Sequence, residues 1–154
     1  MTSEIKFRSA KELDLPEIIR LLADDHLGTA RESIETFPGD SYHQAFNAID
    51  KDPNHELIVA ELNGEIIGTL HLMFLPSISF KGGLRSQVES VRVKQNYQSQ
   101  GIGSKMMHYA IERAKARGAH LMQLTTHESR TDAHRFYERL GFKASHLGMK
   151  LSLQ

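Results

Sequence analysis

The sequence predicts a mixed α/β fold: one sheet, mainly antiparallel at first, completed by a β-α-β unit. Three observations carry this. Residues 56–75 form two apolar runs on either side of Asn63-Gly64, the strongest short-range hairpin signal, since both turn positions need positive φ. The run at 86–93 passes through Gly101 and Gly103 into a segment of helical period. A further apolar run at 120–127 is followed by a second helical segment that closes at Gly141-Phe142. A chain of 154 residues is long enough to bury a core without disulfides and fits a single domain spanning 1–154.

The elements follow in order. The stretch EIKFRSA reads as a first strand with Ile5 and Phe7 on one face. DLPEIIRLLADD reads as a helix with Asp14 as N-cap, Pro16 in its first turn and Glu17 completing a capping box; Leu15, Ile18, Ile19 and Leu22 recur at helical spacing. A short second helix is expected around Arg31–Thr36. SYHQAFNAIDKDP places Tyr42, Ala45, Phe46 and Ile49 on one stripe and stops at Asp52-Pro53. The hairpin follows, then SISFKGGLRS as a looped connection broken at Gly82-Gly83. SQVESVRV is the next strand, with Glu89, Val91 and Val93 sharing a parity. Ile102–Arg117 is a helix with Ile102, Met106, Ala110 and Ala114 inward and Gly118 as its stop. HLMQLTTH starts apolar on both faces, as a buried parallel strand does. SRTDAHRFYERLGF is a helix capped by Ser129 and Asp132, with Ala133, Phe136, Tyr137 and Leu140 as its stripe. A last strand is expected at His146–Leu153.

Composition narrows the function. Lys plus Arg (19) equals Asp plus Glu (19), so no net field draws the chain to nucleic acid or an anionic membrane. Without cysteine, thiolate nucleophiles and cysteine-based zinc sites are excluded. The nine histidines show neither HExxH nor an i, i+4 pair, so no metal is expected. No apolar run reaches membrane-spanning length and the first residues lack a signal peptide's apolar segment, so a cytoplasmic protein is expected.

The corner NYQSQGIGSKMM is the chemically informative stretch. The first N–H groups of a helix lack intrahelical partners, and the helix dipole adds positive charge there. Gly101 and Gly103, without Cβ atoms, would let a diphosphate approach those groups while Ile102 anchors the turn. A bare Gly-x-Gly is equally compatible with a tight turn alone. The P-loop is absent, because the stretch reads GIGSKM, and the Rossmann fingerprint fails at Met106 and at its position past mid-chain.

Two motifs together carry a resemblance. Gln98-Ser99-Gln100-Gly101-Ile102-Gly103 matches a Gln/Arg-x-x-Gly-x-Gly/Ala signature, and Ala133, Phe136, Tyr137, Gly141 and Phe142 match an Ala-x-x-Phe-Tyr-x-x-x-Gly-Phe pattern a helix and a strand later. In this order they resemble the GCN5-related N-acetyltransferase (GNAT) superfamily over nearly the whole chain. The resemblance implies a mostly antiparallel twisted sheet of about six or seven strands flanked by about four helices. It implies acetyl-CoA as co-substrate, lying between the strand that ends at Val93 and the strand HLMQLTT. The pantetheine would pair with the backbone of Ser90, Val91, Arg92 and Val93, as a peptide adds to a sheet edge. The diphosphate would sit on Gln98, Ser99, Gln100, Gly101, Ile102, Gly103 and Ser104. Many relatives carry Asn at position 130; here Arg130 or Arg135 is expected to bring positive charge to the cofactor.

The implied reaction is acetyl transfer to a primary amine of a small molecule by direct attack. An alkylammonium with a pKa near ~10 must lose a proton first, and the departing thiolate benefits from gaining one. The resemblance makes Tyr137 the general acid, with a core aromatic as the alternative. Glu89 is the candidate base acting through water, the alternative being a surface carboxylate paired with Arg85 or Arg92; His71 and His127 are other candidates. By family analogy Asp24, Asp25 and Glu32 would attract a cationic amine, Arg31 an acceptor carboxylate, and Tyr42 would line the same region. Peptide N-acetylation and a non-catalytic acyl-CoA-binding module are the competing readings. A homodimer is compatible with the family.

Overall fold

The computed structural model describes residues 4–24, 27–28, 32 and 39–154. Its strands β1 (Lys6–Ser9), β2 (His55–Leu62), β3 (Glu65–Pro76), β4 (Leu84–Val93) and β5 (Leu121–Gln123) form one sheet in the order β1-β2-β3-β4-β5. The first four strands pair antiparallel, and β5 joins β4 in parallel. Four helices of two or more turns lie among the described residues: α1 (Leu15–Ala23), α2 (Asp40–Lys51), α3 (Ile102–Ala116) and α4 (Thr131–Arg139).

The β2–β3 hairpin forms at Asn63-Gly64 with φ of +51° and +80°, the left-handed pair a tight turn of this kind demands. Strand pleating then sends alternate side chains to opposite faces. On one face Ile58, Ala60, Leu70, Leu72, Phe74 and Val88 pack under the α3 residues Ile102, Met106, Met107, Ala110 and Ala114. On the other, Val59 and Ile66 meet Ala10, the α1 residues Leu15, Ile18 and Leu21, and Phe46 of α2. Each large side chain so buried contributes about 1.5–3 kcal/mol, which holds both helical layers to the sheet.

Several local expectations are corrected. Asp14 places no side-chain cap on α1. Its carboxylate instead accepts from Arg8 (2.7 and 3.0 Å) and from the Lys11 N–H (2.7 Å), tying β1 to the entry of the helix. Ser129 does not cap α4, whose N-cap is Arg130; it pairs with the His127 ring. On α2 only Phe46 is buried and Ala45 is exposed. The connection expected at 77–86 is shorter, because β4 begins at Leu84, and Phe80 and Lys81 turn through left-handed backbone. The second helix expected at Arg31–Thr36 falls outside the described residues.

The largest difference is at the C-terminus. The sheet has five strands, since residues 143–154 form no strand. Leu147, Met149, Leu151 and Leu153 are 85–96% exposed. Alternation fixes which side chains share a face but not which edge will receive them. Consequently β5 is an edge strand of three residues with Leu121 exposed, where a buried strand was expected.

Candidate active site

The site begins with a defect in β4. The β3–β4 ladder runs in register from Pro76↔Leu84 to His71↔Glu89, then shifts before Thr69↔Arg92. The extra residue is accommodated by Ser90, a non-glycine residue at φ +57°. The bulge separates Glu89, opposite His71, from Val91, which packs with the α3-side core. β5 pairs only with Arg85, Ser86 and Gln87. Beyond Gln87, no described strand flanks β4 on that side, so a gap opens along residues 88–93.

At the head of this gap stands the glycine corner. Gly101 is the N-cap of α3 with φ +80°, and a Cβ there would meet open space. Ile102 is buried, and the first helical hydrogen bond runs from the Lys105 N–H to the Gly101 carbonyl (3.1 Å). The N–H groups of Ile102, Gly103 and Ser104 precede that bond and form the anion-attracting end of the helix. Gly103 has a different task from the expected one: its Cβ would lie 3.3 Å from Phe136 Cζ, so its bareness seats α4 against α3.

The glutamines hold the loop. Gln98 Nε2 donates to the Val93 carbonyl (3.0 Å) and Gln100 Nε2 to the Asn96 carbonyl (3.3 Å). Ser99 adopts φ +62° between them. The preceding turn is pinned by Glu65, which accepts from Tyr97 Oη (2.9 Å) and from Lys94. The loop is thus braced by side-chain amides.

Tyr137 comes from α4, half-buried, its ring edge-on to Phe136 (5.1 Å) and Phe142 (5.8 Å). Burial pushes its hydroxyl pKa up, while the cations Arg92 and Arg130 pull against that rise. Both arginines therefore stand close enough to act on the phenol. Arg92 Nη1 also donates to the Val91 carbonyl (2.8 Å).

Glu89 is exposed. It accepts from Gln87 Nε2 (2.8 Å), whose Oε1 accepts from Gln123 Nε2 (2.9 Å), a relay of amides across β4 and β5. Tyr42 and Glu32, expected together on the acceptor side, are joined by a hydrogen bond of 3.1 Å. Asp25 and Arg31 lie outside the described residues. Arg85 is on the same strand face as Glu89, with its Nε buried and unbonded.

One feature escaped sequence reasoning. His55 Nδ1 and His71 Nε2 are 2.9 Å apart, and Asp52 Oδ2 lies 3.7 Å from His55 Nε2. The residues are diagonal across β2 and β3, but a register shift at Ala60/Glu61 displaces the pairing counted from the turn. Among the described residues no cluster of His, Asp and Glu has the makings of a metal site, and no helix is long and apolar enough to cross a membrane.

A mixed sheet whose fourth and fifth strands part beside a glycine-opened helix is the fold of a GNAT-class acetyltransferase. The chain belongs to the Acetyltransferase (GNAT) family, whose model matches residues 15–142. It is 37% identical over 109 residues to an aminoalkylphosphonate N-acetyltransferase of Salmonella typhimurium, covering 69% of this chain and 68% of that one. A crystal structure described as a transcriptional regulator from Bacillus halodurans C-125 shares the fold at TM-score 0.94 and 49% identity, over 97% of this chain and 100% of that one. A structure of a "predicted acetyltransferase with acetyl-CoA" from Clostridium acetobutylicum superposes at TM-score 0.76 and 19% identity, over 97% of each chain, and speaks for the fold alone.

Proposed function

We propose that this chain, as a single domain of residues 1–154, transfers the acetyl group of acetyl-CoA to the primary amine of a small molecule. The observation that carries the reading is the stretch of β4 beyond Gln87, bulged at Ser90 and flanked on its outer side by no described strand, which leads to the Gly101 helix terminus. The edge of β4 at residues 88–93, flanked on its outer side by no described strand, suits a pantetheine, and the N–H groups at Ile102–Ser104 suit a diphosphate.

The amine nitrogen attacks the thioester carbonyl carbon, and the C–S bond breaks as the amide forms. Glu89 takes the proton lost by the amine, through a water, and Tyr137 gives one to the departing sulfur. Burial keeps Tyr137 protonated at neutral pH, the state an acid requires. Arg92 and Arg130 offset the negative charge the phenol acquires on donation. Arg85, with its unbonded Nε, offers a cation to an acceptor that carries an anionic group, and the phosphonate named for the Salmonella relative is of that kind. Tyr42 and Glu32 border the acceptor on its other side.

The proposal includes a cytoplasmic location, since the co-substrate is an intracellular thioester. It also includes a homodimer, for which the exposed C-terminal arm is the support.

A thiol-release assay over aminoalkylphosphonates, uncharged alkylamines and peptides tests the reading. Turnover on the small amines is expected, with a preference for those bearing an anion. The description of the 49% identical structure as a regulator favours one other reading, an acyl-CoA-binding module. Acetyl-CoA uptake by calorimetry with turnover on no amine would establish that module and overturn the enzyme.

A further inference from the structure

A base that accepts an ammonium proton must pass it on before the next turnover. In the occupied site, acetyl-CoA and acceptor would cover the solvent side of Glu89. The other exit is across the sheet. His71 stands directly opposite Glu89 on β3, where facing Cβ atoms lie about 5 Å apart. The titratable groups that act on it are His55 from β2 and Glu89 from β4; no described group of α1 or α2 does. Behind it His55 Nδ1 is 2.9 Å from His71 Nε2, and Asp52 Oδ2 is 3.7 Å from His55 Nε2. Asp52 is itself fixed by the Asn54 N–H (2.9 Å), and its side chain is 45% exposed, so the chain of groups ends at solvent.

The order of these groups sets the tautomers. A carboxylate facing His55 Nε2 favours a proton on that nitrogen. With its proton on Nε2, His55 accepts at Nδ1, so the bond between the rings is donated by His71 Nε2–H. His71 is left with a bare Nδ1, a proton acceptor on the ring that faces the candidate base.

We propose that His71 and His55 form a proton relay that carries the amine's proton from Glu89 to the surface at Asp52. The inference rests on the role proposed for Glu89. Protonated Glu89 gives its O–H proton to His71 Nδ1, directly or through one water. His71 Nε2–H passes to His55 Nδ1, and His55 Nε2–H leaves to Asp52 or solvent. One proton enters, one leaves, and no electrons change hands; both rings are left protonated on Nδ1, and exchange with solvent returns them to the Nε2–H tautomers before the next turnover. Burial and the neighbouring His55 hold the His71 pKa below its ordinary value, so the ring is neutral and receptive at pH 7.

The first test needs no substrate. Nitrogen-15 NMR of the histidine rings in the unliganded protein at neutral pH should show both His55 and His71 as Nε2–H tautomers. Glu89→Gln should lower the His71 pKa further, because the carboxylate raises it. His71 found charged, or protonated on Nδ1, overturns the relay. The second test uses 2-aminoethylphosphonate, or whichever amine the wild type turns over. His71→Gln and His55→Gln should each lower kcat roughly tenfold or more with KM for acetyl-CoA unchanged. The double variant should lose no more than either single one, and imidazole should restore His71→Ala. A His71→Gln enzyme with wild-type kcat, beside a Glu89→Gln enzyme that has lost it, overturns the relay and spares Glu89 as base. Unchanged turnover in Glu89→Gln overturns both.

Discussion

Tyr137 shows how one side chain's surroundings prepare it for a task. The phenol sits between Phe136 and Phe142 on a helix whose inner stripe is apolar, and desolvation disfavours its charged form. The cations at Arg92 and Arg130 work the other way without reversing the net rise. Tyr137→Phe keeps the packing and removes the proton. Turnover should fall about a hundredfold with acetyl-CoA affinity retained, measured by steady-state kinetics beside calorimetry. The folded pKa is raised, so the acid survives to a higher pH than an ordinary tyrosine, and the alkaline limb of kcat should lie above about 10. Arg92→Gln removes a charge that lowers that pKa, so it should move the limb upward. A limb that moves downward or stays in place would separate Arg92 from the acid. Glu89 is the contrasting case, an exposed carboxylate oriented by the uncharged Gln87 amide.

Elements are held at their ends, and the two ends that matter here use different devices. Where β1 meets α1, Arg8 grips Asp14 through both guanidinium Nη atoms while the Lys11 N–H binds the same carboxylate. Desolvation raises the Asp14 pKa, but these three bonds outweigh it and the net shift is downward. A carboxyl whose folded pKa lies below its unfolded value stabilises the fold above the unfolded value and loses that contribution as pH falls through the folded one. Asp14→Asn should therefore cost about 2–3 kcal/mol at pH 7 by urea unfolding, and the gap to wild type should close below about pH 4. At the head of α3 the device is backbone conformation. Gly101 at φ +80° faces open space, so alanine there meets no atom but must adopt a strained conformation. Gly101→Ala should cost about 1–2 kcal/mol and weaken acetyl-CoA binding, whereas Gly103→Ala should act through the displaced Phe136 ring.

At the scale of the molecule, what the sequence disclosed was what is local. The hairpin, α1, α3 and α4 follow from turn residues and helical period, and the glycine corner and Tyr137 are linear motifs. The bulge at Ser90, the His55–His71 bond and the amide relay to Glu89 depend on register, which a single misplaced residue changes and no local pattern records. The C-terminal arm is the same lesson in reverse, since its alternation is plain and its apolar residues stay exposed. Leu147, Met149, Leu151 and Leu153 alternate along the sequence with His146, Gly148, Lys150 and Ser152. That is the pattern of a strand with one buried face, yet within this chain the face is bare. The outer edge of β5 is also unpaired by any described strand, and a three-residue edge flanked by exposed Leu121 invites addition. In the homodimer proposed above, exchange of arms between two copies would satisfy both by a twofold, self-complementary contact. Sedimentation equilibrium of the full chain at micromolar concentration should give twice the 17.4 kDa monomer mass. Leu151→Asp places a charge in the middle of the exchanged face and should raise the dimer dissociation constant at least tenfold, about 1.4 kcal/mol. Lys150→Ala, on the polar side of the same arm, should leave it unchanged. A wild-type chain that sediments as a monomer, or a Leu151→Asp chain as dimeric as its parent, would leave the arm without this partner.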